Sequence, residues 1–597
     1  MQEYSTPATF EIPATAALSD AVTAHAAENP DRVALTRNVG GSWVPVTSRE
    51  FADQVAGLAR GMIAAGVQVG DRVGIMSKTR YEWTLADYAI WTAGGVGVPI
   101  YETSSPEQTQ WILSDSGAVA VVVETAEHAA LVASVREQVP QLREVWQIEG
   151  GDLDSVASRA AEAPESELAT RRAAVDTDSL ATIIYTSGTT GRPKGCELTH
   201  GNLLYVAELA PSVIPAMRAE DASSLLFLPL AHVFARIIEV SCIQNGARLG
   251  HTGDLVQLLA DLGSFQPSFL VAVPRVFEKV YNGARQKAHA AGKGSIFDRA
   301  ERVAVAWSKA QDTGGAGLGL TLQHKLFDTL VYGKLRAAMG GRVEYALSGG
   351  APLGERLGHF FRGIGVTILE GYGLTETTGP ATVSGPDALK VGTVGRAAPG
   401  SAVRIAEHGE IQVRGPQVFR GYWKNPDATA ETMRDGWFAT GDIGVIDDEG
   451  YVTVTGRIKE LIVTSGGKNV SPAVLEDKIR AHPLVSQCIV VGDNRPYIGC
   501  LITLDAEAMP GWLEAKGRPG STPVSELVDD PEVMAEIQAA VDAANKQVSR
   551  AESIRSFAVL PVEWTVEGGQ LTPSLKLKRS VVMKENAREV EKIYAQA

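Results

Sequence analysis

The residues best suited to chemistry lie in one run, Tyr185-Thr186-Ser187-Gly188-Thr189-Thr190-Gly191-Arg192-Pro193-Lys194-Gly195. Its glycines let backbone N–H groups approach phosphate oxygens closely. Thr186, Ser187, Thr189 and Thr190 add hydroxyl donors, and Lys194 adds positive charge. The P-loop of NTPases is excluded: G-x-x-x-x-G-K-[ST] cannot be read from Gly188 or Gly191, and glycine, not a hydroxyl residue, follows Lys194. A flexible Ser/Gly/Thr linker would share the composition. It would not share the strand Ala181–Ile184 before the run, the rigid Pro193 or the charged tip. The loop is expected to lead into a helix over Thr199–Ala210.

Further segments follow in order: Ser348-Gly349-Gly350-Ala351, Glu370-Gly371-Tyr372-Gly373-Leu374-Thr375-Glu376, Thr440-Gly441-Asp442 and Gly456-Arg457-Ile458-Lys459-Glu460. Together with the phosphate loop they resemble the signature motifs of the adenylate-forming (AMP-binding) superfamily, over about Asp20 to Val590. Within it, Val273-Pro274-Arg275-Val276-Phe277-Glu278-Lys279-Val280 and the tail Thr572–Arg579 look like long-chain fatty acyl-CoA synthetases, actinobacterial type.

The resemblance implies a long-chain fatty acid, ATP and CoA as substrates and Mg²⁺ as cofactor. The acid would form an acyl-adenylate with release of pyrophosphate, and CoA would then take the acyl group. ATP or AMP would be held by Thr186, Ser187, Gly188, Thr189, Thr190, Gly191 and Lys194, by Gly349, Gly350 and Ala351, and by Gly371, Tyr372 and Gly373. Thr375 would meet the α-phosphate, Asp442, placed just before a short apolar strand, the ribose hydroxyls, and Arg457 ribose or phosphate. Glu376 would hold the metal, since Mg²⁺ wants one or two protein carboxylates beside phosphate oxygens and water. His232, in Leu228–Arg236, is expected at the active site, with Phe234 as a candidate gate. A lysine after the Pro573 turn would bridge the acid and the α-phosphate. That is Lys576, with Lys578 as the alternative because Leu575 stands where many members have glycine. Lys459 would be the hinge, and Gly466, Gly467 and Lys468 would face CoA after rotation. Two other readings share the motifs: a fatty acyl-AMP ligase serving a carrier protein, and a non-enzymatic acyl or nucleotide sensor.

Positioning these residues needs buried parallel sheets. Short, continuous apolar runs (Arg72–Met76, Ala118–Glu124, Ala181–Tyr185, Phe269–Val273, Val366–Leu369) alternate with helical patterns, which marks strands covered on both faces. The fold class expected is α/β. A large N-terminal domain, residues 1–456, would hold two α/β subdomains and a small β subdomain around Val403–Asp447. A small mobile α+β domain, 457–597, would follow a hinge at 456–460. Residues 284–342 read as a helical insertion with Thr313–Gly319 as its loop, and Ser155–Ala174 as a surface connector.

Composition agrees. Of 597 residues, 45% are apolar and 21% charged, normal for a globular protein. Glycine, 61 residues, stands at about 10% against a usual ~7%, as ligand loops require. A net charge of −15 disfavours nucleic acid. Cys196, Cys242, Cys488 and Cys500 form no C-x-x-C pair and read as buried thiols. No signal peptide or membrane span is evident, so a cytoplasmic setting is expected. No basic amphipathic stretch stands out, and any membrane contact would be transient, resting on a local apolar patch.

Overall fold

The fold is that of a computed structural model, which describes residues 2–186, 192–566, 568–572 and 577–595. The largest sheet has seven strands in the order Gly421–Tyr422, Lys194–Thr199, Leu180–Thr186, Val96–Ile100, Arg72–Met76, Ala120–Val123 and Glu144–Gln147. The run from Leu180–Thr186 to Glu144–Gln147 is parallel. All five residues of Val96–Ile100 are buried, as covering on both faces demands.

A second sheet runs Phe269–Ala272, Tyr345–Ser348 and Thr367–Leu374 in parallel, then Gly379–Val383 and Arg396–Ala397 antiparallel. A third joins Ser223–Leu226, Arg248–His251, Val33–Val39 and Ser42–Thr47. Between them lie the helices His200–Val213 and Val233–Asn245, buried on nearly every face. Such helices show little polar periodicity because no side of them meets water.

An antiparallel sheet is built from Ala402–Ile405, Glu410–Arg414, Trp437–Ile446, Met433–Arg434 and Val452–Arg457, with Glu3–Ser5 at its edge. The last part of the chain pairs Val485–Val491 with Ile498–Leu504, and Ile554–Leu560 runs parallel to the latter. Ile498, Cys500, Ile502 and Leu504 face one apolar cluster, and Leu501 faces another, the period-two alternation of a strand buried on both sides. Arg275 meets Asp505 at 2.9 Å and Lys279 meets Glu507 at 3.2 Å, tying this part to the rest.

Residues 274–338 contain helices and short connections only: Pro274–Ala290, Gly294–Gln311, Leu318–Phe327, a π-helical turn Asp328–Tyr332, and Gly333–Ala338. Three expectations need correction. The segment after the phosphate loop is first the strand Lys194–Thr199, antiparallel to Leu180–Thr186, and only then the helix. Asp442 does not precede a strand but lies inside Trp437–Ile446. The connector is more than a surface helix: Arg171 is buried and donates to the carbonyls of Val67 at 2.8 Å and Ala93 at 2.9 Å. The four cysteines are free and buried. Among the described residues no helix is long and apolar enough to cross a membrane.

Candidate active site

The phosphate-loop hairpin closes with Thr186 opposite Lys194. Ser187, Gly188, Thr189, Thr190 and Gly191 lie outside the described residues. The loop's base is fixed by Trp111, whose indole N–H donates to the Pro193 carbonyl at 2.9 Å. The Arg192 guanidinium lies 4.6 Å from the same ring, so its charge is used for anchoring. Lys194 Nζ stands 5.0 Å from the centre of the Tyr422 ring.

Tyr422 joins this group to the acid. Its hydroxyl donates to Glu376 Oε1 at 2.8 Å, and burial together with the Glu376 charge pushes the phenol's pKa up. Glu376 sits in the 3₁₀ turn Thr375–Thr377, and its carbonyl accepts from Phe419 N at 2.8 Å. Thr375 is buried at the start of that turn. Lysine, phenol and carboxylate thus converge beside the hairpin. No group of three or more His, Cys, Asp or Glu able to hold a metal occurs among the described residues. A single carboxylate fits Mg²⁺, which completes its shell with phosphate oxygens and water, and does not fit a zinc-type site.

Gly349 and Gly350 follow the strand Tyr345–Ser348. A Cβ at Gly349 would lie 3.3 Å from the Phe234 ring and 3.4 Å from the Gly371 carbonyl, and one at Gly373 would lie 1.6 Å from the Gly379 carbonyl. Gly373, in the strand Thr367–Leu374, has no room for a side chain against that backbone, while Gly349 is only tightly packed. Ala351 is exposed. The Glu370 carboxylate accepts from Leu353 N at 3.1 Å, which ties the Gly349–Ala351 loop to its neighbouring strand. Burial lifts the pKa of Glu370 to about 7.

Tyr372, Asp442 and Arg457 form one cluster. The Tyr372 hydroxyl donates to Asp442 Oδ2 at 2.7 Å and Arg457 Nε donates to Oδ1 at 2.6 Å. Asp442 and Arg457 stand directly opposite each other on antiparallel strands, where cross-strand side chains meet. Burial and the adjacent Asp442 charge raise the pKa of Tyr372, so it stays a donor.

His232 caps the helix Val233–Asn245, and its Nδ1 accepts from Phe234 N at 3.1 Å. This brings Phe234 against Gly349. Lys459 lies in the 3₁₀ turn Ile458–Glu460 immediately after Arg457. Gly466 and Gly467 turn a short hairpin, and Lys468 pairs with Glu552 at 3.3 Å. Lys576 lies outside the described residues; Lys578 caps the helix Arg579–Glu585.

Two residues escaped the sequence reading. Glu370 had a signal, since an acid that extends the apolar run Val366–Leu369 must be buried. Tyr422 had a weaker one, the aromatic pair after Gly421. The structure also shows a small apolar cavity of about 40 Å³, lined by Met217, Ile237, Phe269, Val271, Leu347 and Pro380 among others. Leu347 lies two residues before Gly349, and Pro380 four after Glu376, so the cavity adjoins the polar groups.

Comparison with known proteins gives the same picture. Residues 22–423 match the AMP-binding enzyme family, and residues 459–597 match the AMP-binding enzyme C-terminal domain. The chain is 51% identical to the long-chain-fatty-acid–CoA ligase FadD15 of Mycobacterium bovis, over the whole of both chains. It is 30% identical to the long-chain-fatty-acid–CoA ligase ACSBG2 of Xenopus laevis, covering 95% of this chain and 82% of that one. Among solved structures, the adenylation domain of a carboxylic acid reductase from Segniliparus rugosus, in complex with AMP and a co-purified carboxylic acid, has a TM-score of 0.74 at 21% identity, covering 98% of this chain and 95% of that one. A fatty acyl CoA synthetase of Mycobacterium tuberculosis has a TM-score of 0.62 at 23% identity, covering 96% and 99%. With motifs, fold and a full-length relative in agreement, the chain belongs to the AMP-binding enzyme family.

Proposed function

We propose that the chain joins a long-chain fatty acid to CoA at the expense of ATP. The acid's carboxylate attacks the α-phosphorus, forming acyl-adenylate and expelling pyrophosphate. The CoA thiolate then attacks the acyl carbonyl, expelling AMP and leaving the thioester. The observation that carries this reading is the 51% identity to a curated long-chain ligase along both entire chains. The small apolar cavity between the helices His200–Val213 and Val233–Asn245 would take only the first methylenes of the acyl chain, each contributing about 0.8 kcal/mol, and a long chain would need it to widen.

The roles follow from position. Lys194 and the phosphate loop hold the polyphosphate, and Thr375 meets the α-phosphate. Tyr422 orients the Glu376 carboxylate, which would hold Mg²⁺; bound there, the metal neutralises phosphate charge. Gly349–Ala351, Gly371, Tyr372 and Gly373 take the adenine side, and Asp442 with Arg457 the ribose. His232 borders the acyl carbonyl. Lys576 enters from the C-terminal part for adenylation, and rotation about Lys459 then brings Gly466–Lys468 toward CoA. The domains are accordingly 1–456 and 457–597. A cytoplasmic setting is part of the same proposal, supported by four free thiols.

The test is CoA thiol consumption and pyrophosphate release with ATP-Mg²⁺ and acids from acetate to arachidate. Thiol loss peaking with long acids is expected. Pyrophosphate release without thiol loss would instead indicate an acyl-AMP ligase. Lys576→Ala should abolish pyrophosphate release; full retention would transfer the role to Lys578.

A further inference from the structure

The helical region 284–342 carries an outer face that nothing among the described residues covers. Leu318, Leu322, Leu326 and Leu330 are 86%, 69%, 57% and 49% exposed. They recur every fourth residue along the helix Leu318–Phe327 and the π-helical turn that continues it. At 100° per residue, four such positions span an arc of about 120°, one continuous stripe on a helix. The opposite face is already satisfied: Phe327, Tyr332 and Leu335 are buried, and His324 stacks on Trp307 at 4.4 Å. The stripe is therefore not needed for the core. Contiguous exposed apolar surface of this kind marks an interaction site.

Charge identifies the occupant. Residues 284–342 hold ten Lys and Arg against four Asp and Glu, a net of +6 in a chain of −15. All four acids are engaged by arginines: Asp298 with Arg285, Glu301 with Arg356, Asp312 with Arg362 and Asp328 with Arg336. Lys325 and Lys334, exposed along the stripe, form no ion pair among the described residues, which leaves their charge turned outward. Leucines bounded by lysines match a surface with an apolar interior and anionic headgroups. A second copy of the same face would bring like charge against like.

We propose that the face Leu318–Lys334 docks the protein on anionic lipid bilayers, with the four leucines entering the acyl region and Lys325 and Lys334 meeting headgroup phosphates. The sequence showed no basic amphipathic stretch because the leucines read as core and the lysines as scattered; only the fold shows which side of the helix is left bare. The inference rests on this surface alone and does not depend on the substrate.

Co-sedimentation of the full chain with vesicles tests it. One set is pure phosphatidylcholine, and the other replaces one lipid in three with phosphatidylglycerol. Binding is expected to the anionic set and to weaken with salt. The double variant Leu322→Glu/Leu326→Glu should bind about tenfold more weakly, and Lys325→Glu/Lys334→Glu should lose the preference for anionic vesicles. Val256→Ser, at an exposed apolar residue elsewhere, should bind as the parent does. All these positions are exposed, and far-UV circular dichroism checks that each variant folds. The proposal is overturned if the parent stays in the supernatant, or if the leucine variant sediments unchanged. A concentration-dependent dimer of the parent that the leucine variant dissolves would also overturn it, by showing that a second copy covers the stripe.

Discussion

Two arginine–aspartate pairs of nearly equal length sit in contrasting places. Arg236 meets Asp87 at 2.5 Å with both side chains fully buried, between the rings of Trp83 and Trp91. Arg457 meets Asp442 at 2.6 Å, but the Arg457 side chain is 42% exposed. The core pair has a third member, Glu239, also fully buried, with no hydrogen-bond partner for either oxygen. Burial pushes the pKa of Glu239 well up, and that of Asp87 up despite the guanidinium. Glu239 therefore keeps its proton, and the cluster is neutral. The core guanidinium has nowhere to go. The Arg457 guanidinium, part-exposed, has room to move aside, and under the proposed function it would leave Asp442 to a ligand with hydroxyls. On that proposal the same two residue types serve as a fixed strut in one place and an exchangeable contact in the other, and exposure makes the difference.

The largest expected effect breaks the strut. Arg236→Met leaves the buried Asp87 carboxylate without its counter-charge and should lower stability by about 3–5 kcal/mol in urea denaturation. The triple variant Asp87→Leu/Arg236→Met/Glu239→Leu should recover most of that loss. If it is as unstable as the single variant, the pair is not a matter of charge.

Next in size are two pH slopes of opposite sign. His251, in the core and bonded to Thr84 at 2.8 Å, is held by burial to a pKa of about 4. Between pH 6.5 and 4 the unfolded chain binds a proton that the folded one refuses, so stability falls by about 3 kcal/mol as pH drops. Glu370, under the cleft, is raised to about 7. Between pH 4.5 and 7 the folded state holds the extra proton, and stability falls by about 3 kcal/mol as pH rises. Denaturation of His251→Gln and Glu370→Gln across this range should remove one slope each. A variant that leaves its slope intact would reassign it.

The cleft pair should barely affect stability. Asp442→Asn is expected to cut kcat/KM for ATP by about thirtyfold, close to 2 kcal/mol, with little change in the urea midpoint. Smallest is Tyr372→Phe, which removes one donor to Asp442. It should cost about 1 kcal/mol in the same kinetic constant. An equal loss of stability in either variant would make the cleft pair a second strut.

Much of this architecture was legible beforehand. Arg72–Met76 forms a strand with the ends expected, because a continuous apolar run bounded by turns has few other uses. The motif order placed Tyr372, Asp442 and Arg457 in one reading, and the fold brings them within hydrogen-bonding distance. What stayed hidden depends on the surroundings of an element. Arg236 and Glu239 stand three apart on a helix, a spacing that usually means a solvated face. That helix lies between two sheets, and no local pattern reports it. Asp after glycine is a common turn pattern, and Gly441 does take φ +72°. Register with two neighbouring strands overrides that preference. Tyr422 depends on a pairing between Gly421–Tyr422 and Lys194–Thr199, which lie more than two hundred residues apart.

Distance along the chain also sets a timetable. The first strand, Glu3–Ser5, pairs with Ala402–Ile405, so it leaves the ribosome some four hundred residues ahead of its partner. At roughly 5–20 residues per second this is a wait of about 20–80 s. Throughout that interval the strand has no sheet to join, because every other strand of the antiparallel sheet that carries Asp442 is made after it. A nascent chain halted before Ala402 should therefore leave its N-terminus open to proteolysis, and release of the finished chain should close it.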